Sequence, residues 1–155
     1  MPTRRQALAH AATVASLMAA AGVWPGVALA QAGAYPKAAF ETRSMDEALK
    51  ALGHARPVAS TELQLTAPDI AENGALVSLR LATALPGVKR LMLLVEKNPN
   101  ILAAVFDLSE AIEPNIATQV KMSESSNVYG VAVMADGRVL FARKDVRVTL
   151  GGCAA

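Results

Sequence analysis

The sequence predicts an all-β domain, a β-sandwich, preceded by one short helix and followed by a loose carboxyl-terminal tail. Three observations carry this expectation. From residue 62 onward, apolar and polar residues alternate with period two, as strands with one buried face require. Turn signals at Asn73-Gly74, Pro86-Gly87, Asn98-Pro99, Glu113-Pro114 and Asp136-Gly137 cut the alternation into short runs. The strand–helix–strand rhythm of a doubly wound parallel sheet is missing.

The elements follow in order. Residues 31–40 read as a loose entry segment. Ser44-Met45-Asp46-Glu47 is a capping-box pattern, and Met45, Ala48, Leu49 and Leu52 recur at helical spacing before Gly53, so a helix is expected over 45–52. Leu63 and Leu65 begin the alternation, and Val77, Leu79 and Leu81 continue it. Leu91 to Val95 is an unbroken apolar run, as expected of a central strand. Ala103–Leu108 follows. Ile116, Thr118, Val120 and Met122 alternate with Ala117, Gln119 and Lys121; Tyr129, Val131 and Val133 alternate with smaller residues. Asp136-Gly137 is a hairpin turn leading into Val139 and Phe141. Val146, Val148 and Leu150 form a last strand. Several short strands at this spacing argue for a sandwich. Asp69 and Glu72, beside Asn73-Gly74, read as turn residues with solvated charges rather than paired catalytic carboxylates.

Residues 1–30 have the organisation of an export signal. Arg4-Arg5 precede an alanine-rich apolar run from Ala11 to Val23, and Ala28-Leu29-Ala30 is a cleavage site of the A-x-A kind. The arginine pair favours the twin-arginine route, with ordinary Sec export as the alternative because Ala7 stands where a bulky apolar residue is usual. The expected location is the periplasm, with no membrane insertion once the signal is removed. Three segments are thus expected: the signal 1–30, a β-sandwich domain 31–150 and an arm 151–155.

Loss of Arg4 and Arg5 leaves thirteen basic residues against thirteen acidic ones. A chain near neutrality, with no basic stripe and few aromatic residues, excludes nucleic acid as a partner. About 125 residues build a hydrophobic core without disulfide staples, and a single cysteine makes no internal disulfide.

That cysteine, Cys153, is the chief candidate for chemistry. It lies third from the end in Thr149-Leu150-Gly151-Gly152-Cys153-Ala154-Ala155. Two glycines precede it, so it reads as a thiol on a short flexible tether, Gly151 and Gly152, projecting on the order of 10 Å beyond the last strand. In an oxidising compartment a leftover cysteine points to intermolecular pairing or to a reactive thiol. A cysteine enzyme needs a base held beside its nucleophile. The mature chain offers His54 alone, and a mobile tail would not preorganise the pair. There is no C-x-x-C, no zinc ligand set, no G-x-S-x-G and no phosphate-binding glycine loop. No cofactor or metal is expected, and the chain is not expected to be an enzyme by itself. The thiol would be activated by a partner.

Several pieces resemble one family, SoxY. They are residues 67–75 (Ala67-Pro68-Asp69-Ile70-Ala71-Glu72-Asn73-Gly74-Ala75), 94–100 (Leu94-Val95-Glu96-Lys97-Asn98-Pro99-Asn100), Lys121-Met122, Ser126-Asn127-Val128, and the closing Val148-Thr149-Leu150-Gly151-Gly152-Cys153. The resemblance implies an immunoglobulin-like sandwich paired with a SoxZ-like subunit, and a covalent sulfur-carrier cycle in which Cys153 holds the cargo and Gly151 and Gly152 tether it. It implies transient partners: a SoxAX-like c-type cytochrome that couples thiosulfate oxidatively to the cysteine, a SoxB-like hydrolase that releases sulfate, and a SoxCD-like dehydrogenase that oxidises the remaining sulfane sulfur. One departure stands out. The family ends Gly-Gly-Cys-Gly-Gly, whereas Ala154-Ala155 follow Cys153 here. Two other functions remain open: an exported β-sandwich adaptor whose cysteine only forms an intermolecular disulfide, and a paralogous carrier for another reduced sulfur compound. Edge strands at Leu91–Val95 or Val146–Leu150 would need covering, which a second β-sandwich subunit would do.

Overall fold

The computed structural model describes residues 36–151. The expected signal, residues 1–30, and Gly152, Cys153, Ala154 and Ala155 lie outside the described residues.

Two short helices come first, α1 (Lys37–Phe40) and α2 (Met45–Ala51). Nine strands follow: β1 (Val58–Ala59), β2 (Leu63–Thr66), β3 (Ile70–Asn73), β4 (Val77–Thr83), β5 (Val88–Val95), β6 (Leu102–Asp107), β7 (Asn115–Val120), β8 (Ser126–Met134) and β9 (Val139–Leu150). The larger sheet runs β1-β9-β8-β5-β6, with β3 also paired to β9; the smaller runs β2-β4-β7. The result is the expected immunoglobulin-like β-sandwich. None of the described helices is long and apolar enough to cross a membrane.

Alternation decides which face each residue covers. Leu91, Leu93 and Val95 of β5 point into the space between the sheets, where they meet Val77, Leu79 and Leu81 of β4 and Val120 and Met122 near β7. Met92 and Leu94 point the other way, into a second core with Val131, Val133 and Val139, capped by Ala39, Ala48 and Leu49 of the helices. The helices thus form a third layer, and β5 is apolar on both faces because both faces are covered. Burying a leucine such as Leu93 stabilises by about 1.5–3 kcal/mol through solvent transfer alone. Gly130 of β8 faces the inter-sheet core, where a Cβ would collide with the Leu81 side chain, so glycine at this position makes room for leucine across the sandwich.

The predicted helix forms. Ser44 caps it by accepting from the Glu47 amide at 3.2 Å. The reciprocal half of the box is shifted by one residue: the Glu47 carboxylate accepts from the Arg43 amide rather than that of Ser44. The predicted hairpin also forms, with Gly137 at φ 89° and the Asp136 carboxylate accepting from the Arg138 amide.

Four expectations are corrected. The entry segment contains the single turn α1. Val139–Phe141 and Val146–Leu150 belong to one continuous strand of 12 residues, which changes partners along its length. Leu91–Val95 is not an edge, since β5 pairs with β6 and β8, whereas β9 beyond Val146 has β3 as its one strand neighbour and is open on the side where β8 has ended. Glu72 lies within β3 rather than in a turn, while Asp69 just precedes it and forms an ion pair with Lys144. That partner holds the exposed Asp69 carboxyl below its ordinary value.

Candidate functional site: the root of the carboxyl-terminal arm

The site is built where β9 ends. β8 covers β9 as far as Val146, opposite Ser126, and beyond that point β9 has β3 on its other edge, with Ala71 opposite Val148 and Asn73 opposite Leu150. On the side that β8 has left, Ser125 takes over. Its hydroxyl accepts from the Val148 amide at 2.9 Å and lies 3.4 Å from the Val148 carbonyl, which leaves the strand's polar groups satisfied after the ladder stops.

Two loops then close on the last residues. In the 73–76 loop the Gly74 amide donates to the Leu150 carbonyl and the Gly74 carbonyl accepts from the Met122 amide, both at 2.7 Å. The Thr149 hydroxyl donates to the Glu72 carbonyl at 2.8 Å. In the 121–126 loop, the Ser123 amide donates to the Asn98 side-chain oxygen at 2.9 Å, while the Asn98 amide group donates to the Lys121 carbonyl at 2.7 Å. The buried Ser126 hydroxyl accepts from the Lys97 amide at 3.0 Å, and Asn127 donates to the Glu96 carboxylate at 2.7 Å. Gly151, the last described residue, is half-buried, and its Cα lies against the Ser123 carbonyl.

The scattered pieces of sequence that carry the resemblance therefore meet in space. Residues 69–75, 96–98, 121–123 and 125–127 surround the strand end from which the arm departs. The electrostatics here are mild. Lys97–Glu124 at 3.8 Å is an exposed pair worth little. Burial raises the Tyr129 hydroxyl above its usual value, with the Glu96 charge adding to it and Arg143 opposing it.

The expected site residues stand as follows. Gly151 is placed, at the root; Gly152 and Cys153 lie outside the described residues. His54 is placed elsewhere. Its Nε2 accepts from the Arg90 guanidinium at 3.2 Å, and Arg90 is in turn paired with Asp107. Partial burial and then the Arg90 charge lower its pKa. Arg90 and Val95 are five residues apart on β5, about 17 Å at strand rise, so His54 belongs to the opposite end of the sheet from the arm root. No group of three metal-ligating side chains occurs among the described residues. Sequence reasoning missed the roles of Asn98, legible only as a member of a family-like segment, and of Ser125, which lies outside those segments.

Fold and root together define an immunoglobulin-like β-sandwich whose final strand leads directly to the chain's one cysteine. The model of the family "Sulfur oxidation protein SoxY" matches residues 48–153, a span that ends on Cys153. The chain belongs to the SoxY family. Among solved structures it is similar to the sulfur carrier protein SoxY from Chlorobium limicola f thiosulfatophilum, at 31% identity and TM-score 0.61, covering 68% of this chain and 96% of that one. A superoxide reductase (neelaredoxin) from Ignicoccus hospitalis matches at 15% identity and TM-score 0.50, over 56% of this chain and 79% of its own. A putative superoxide reductase from Thermotoga maritima matches at 10% identity and TM-score 0.51, over 59% of this chain and 93% of its own. The likeness to the reductases is one of fold alone. No curated protein matches the chain.

Proposed function

We propose that the chain is a periplasmic sulfur carrier that holds thiosulfate-derived sulfur covalently on Cys153 and presents it to partner enzymes, without being an enzyme itself. The observation that carries this reading is the family match running through to residue 153, together with the likeness to a SoxY described as a sulfur carrier. The export signal read in residues 1–30 supports the location.

The chemistry balances with partners supplying what the sandwich lacks. The Cys153 thiol and thiosulfate join through a new sulfur–sulfur bond, losing one proton and two electrons to a c-type cytochrome of the SoxAX kind. A SoxB-like hydrolase then adds water at the terminal sulfone sulfur, and sulfate leaves while a persulfide stays on the cysteine. A SoxCD-like dehydrogenase would oxidise that remaining sulfur. The reactive form of the cysteine is the thiolate. An ordinary cysteine is only a few per cent thiolate near neutrality, so activation falls to the partner's site. A SoxZ-like subunit is the proposed stable partner. Ala154 and Ala155, in place of glycines, narrow the arm's conformational range. They favour, as a second reading, a paralogous carrier whose cargo is another reduced sulfur compound.

The test is Cys153→Ser assayed in the reconstituted system with the candidate subunit and enzymes. A carrier loses thiosulfate-dependent turnover while still binding its subunit. Retained turnover contradicts the proposal, and loss of a covalent dimer with turnover intact identifies an adaptor.

A further inference from the structure

We infer that Gly151 is the anchored root of the arm rather than the first link of its tether, and that Asn98 is the positioning residue that sets this anchor. The functional meaning rests on the carrier reading of Cys153; the geometry does not. A glycine preceding a reactive terminus is ordinarily read as conformational freedom. Gly151, however, is absent from the glycines with positive φ, which are Gly53, Gly87 and Gly137. Its φ therefore lies outside the left-handed region that favours glycine. What excludes a side chain is space: a Cβ at Gly151 would overlap the Ser123 carbonyl oxygen, closer than real Cβ atoms approach. That oxygen belongs to the backbone, so it cannot swing aside as a side-chain tip would.

The Ser123 carbonyl is held in turn. Asn98 accepts from the Ser123 amide and donates to the Lys121 carbonyl, so one side chain fixes the loop on both sides of Met122. Met122 is fully buried, and its amide bonds to the Gly74 carbonyl, while the Gly74 amide bonds to the Leu150 carbonyl. The end of β9 is gripped between two loops, and the grip reaches Gly151. The first residue beyond the anchor is then Gly152. Two residues rather than three carry the thiol outward, a reach of about 7 Å instead of about 10 Å from the last fixed Cα. A partner active site must therefore come close to the 96–98 and 121–126 loops to receive the cargo.

The opposing effects of the two glycines make the test. A nitroxide is attached through a disulfide to Cys153, the sole cysteine of the full chain, and its mobility is measured together with hydrogen exchange in residues 121–126. Gly152→Ala is expected to slow the nitroxide and leave the exchange unchanged. Gly151→Ala is expected to free the nitroxide and speed exchange in residues 121–126 about tenfold, as losing a hydrogen bond's worth of protection would. Asn98→Ala is expected to do the same with Gly151 intact. If both alanines slow the nitroxide alike, or if Gly151→Ala leaves the 121–126 exchange as in the parent, Gly151 is a plain tether and the inference falls. Neither readout involves sulfur. An anchored Gly151 in a protein whose Cys153→Ser variant keeps full turnover would overturn the carrier reading alone.

Discussion

The two ends of the larger sheet are held by different chemistry. At the arm end, neutral groups make the contacts to the last residues of β9: the Ser125 hydroxyl, the Thr149 hydroxyl, Asn98 through Ser123, and backbone amides of the 73–76 loop. At the other end, charge dominates: Arg90 between Asp107 and His54, and Lys89 with Glu110 at 3.1 Å. The difference teaches where the protein is able to respond to pH. None of the groups gripping the arm root titrates near neutrality, so the anchor is indifferent to pH in that range. The end opposite the arm contains the one described histidine.

The largest expected effect joins the two ends. Leu93→Ala in β5 removes a fully buried side chain from the shared core and is expected to cost about 2–5 kcal/mol. Denaturant unfolding would show the loss, and hydrogen exchange would rise at both ends together; a rise at one end alone would break the picture of a common core. Asn98→Ala is next, at about 1–3 kcal/mol, because the Ser123 amide and Lys121 carbonyl lose their partners. Its exchange effect should be confined to the arm end. Ser44→Ala removes the cap of α2 and should cost about 1 kcal/mol, read as faster exchange in the helix layer with the arm root unmoved.

The smallest effect sharpens the contrast in pH. His54 has a folded-state pKa below its unfolded value near 6.5. The unfolded chain therefore takes up the proton first, and the stability His54 contributes is present above that value and declines as pH falls below it toward the folded pKa. The side chain is only partly buried, so the slope is shallow. His54→Asn should flatten the stability profile just below pH 6.5, and an unchanged profile would remove His54 from the account.

The legibility of the chain follows the same physics. The run Leu91–Val95 announced a central strand, and Ser44 through Glu47 announced a helix start, because each depends on neighbours in sequence. β1 and β3 were not legible: they are short, pair in parallel with β9, and leave residues such as Val58 and Ile70 more than half exposed, so alternation is weak. The edge assignment of Leu91–Val95 failed for a related reason, since local periodicity does not say which strand lies alongside. α1 has no side-chain cap to advertise it. At the site, Cys153 was legible as the chief candidate from the sequence, and it lies with Gly152 outside the described residues. The role of Gly151 was not legible, because the obstacle to a side chain is the carbonyl of Ser123, far away in sequence. Asn98 read as part of a turn with Pro99, and its second task, holding Ser123, requires the fold.

The most direct test of the carrier account is the intact mass of the protein taken from cells oxidising thiosulfate, measured with and without reductant. The account predicts reductant-sensitive adducts of sulfur or thiosulfonate mapping to Cys153 and absent from Cys153→Ser. A bare thiol, or only a disulfide-linked dimer, during active sulfur oxidation would contradict it.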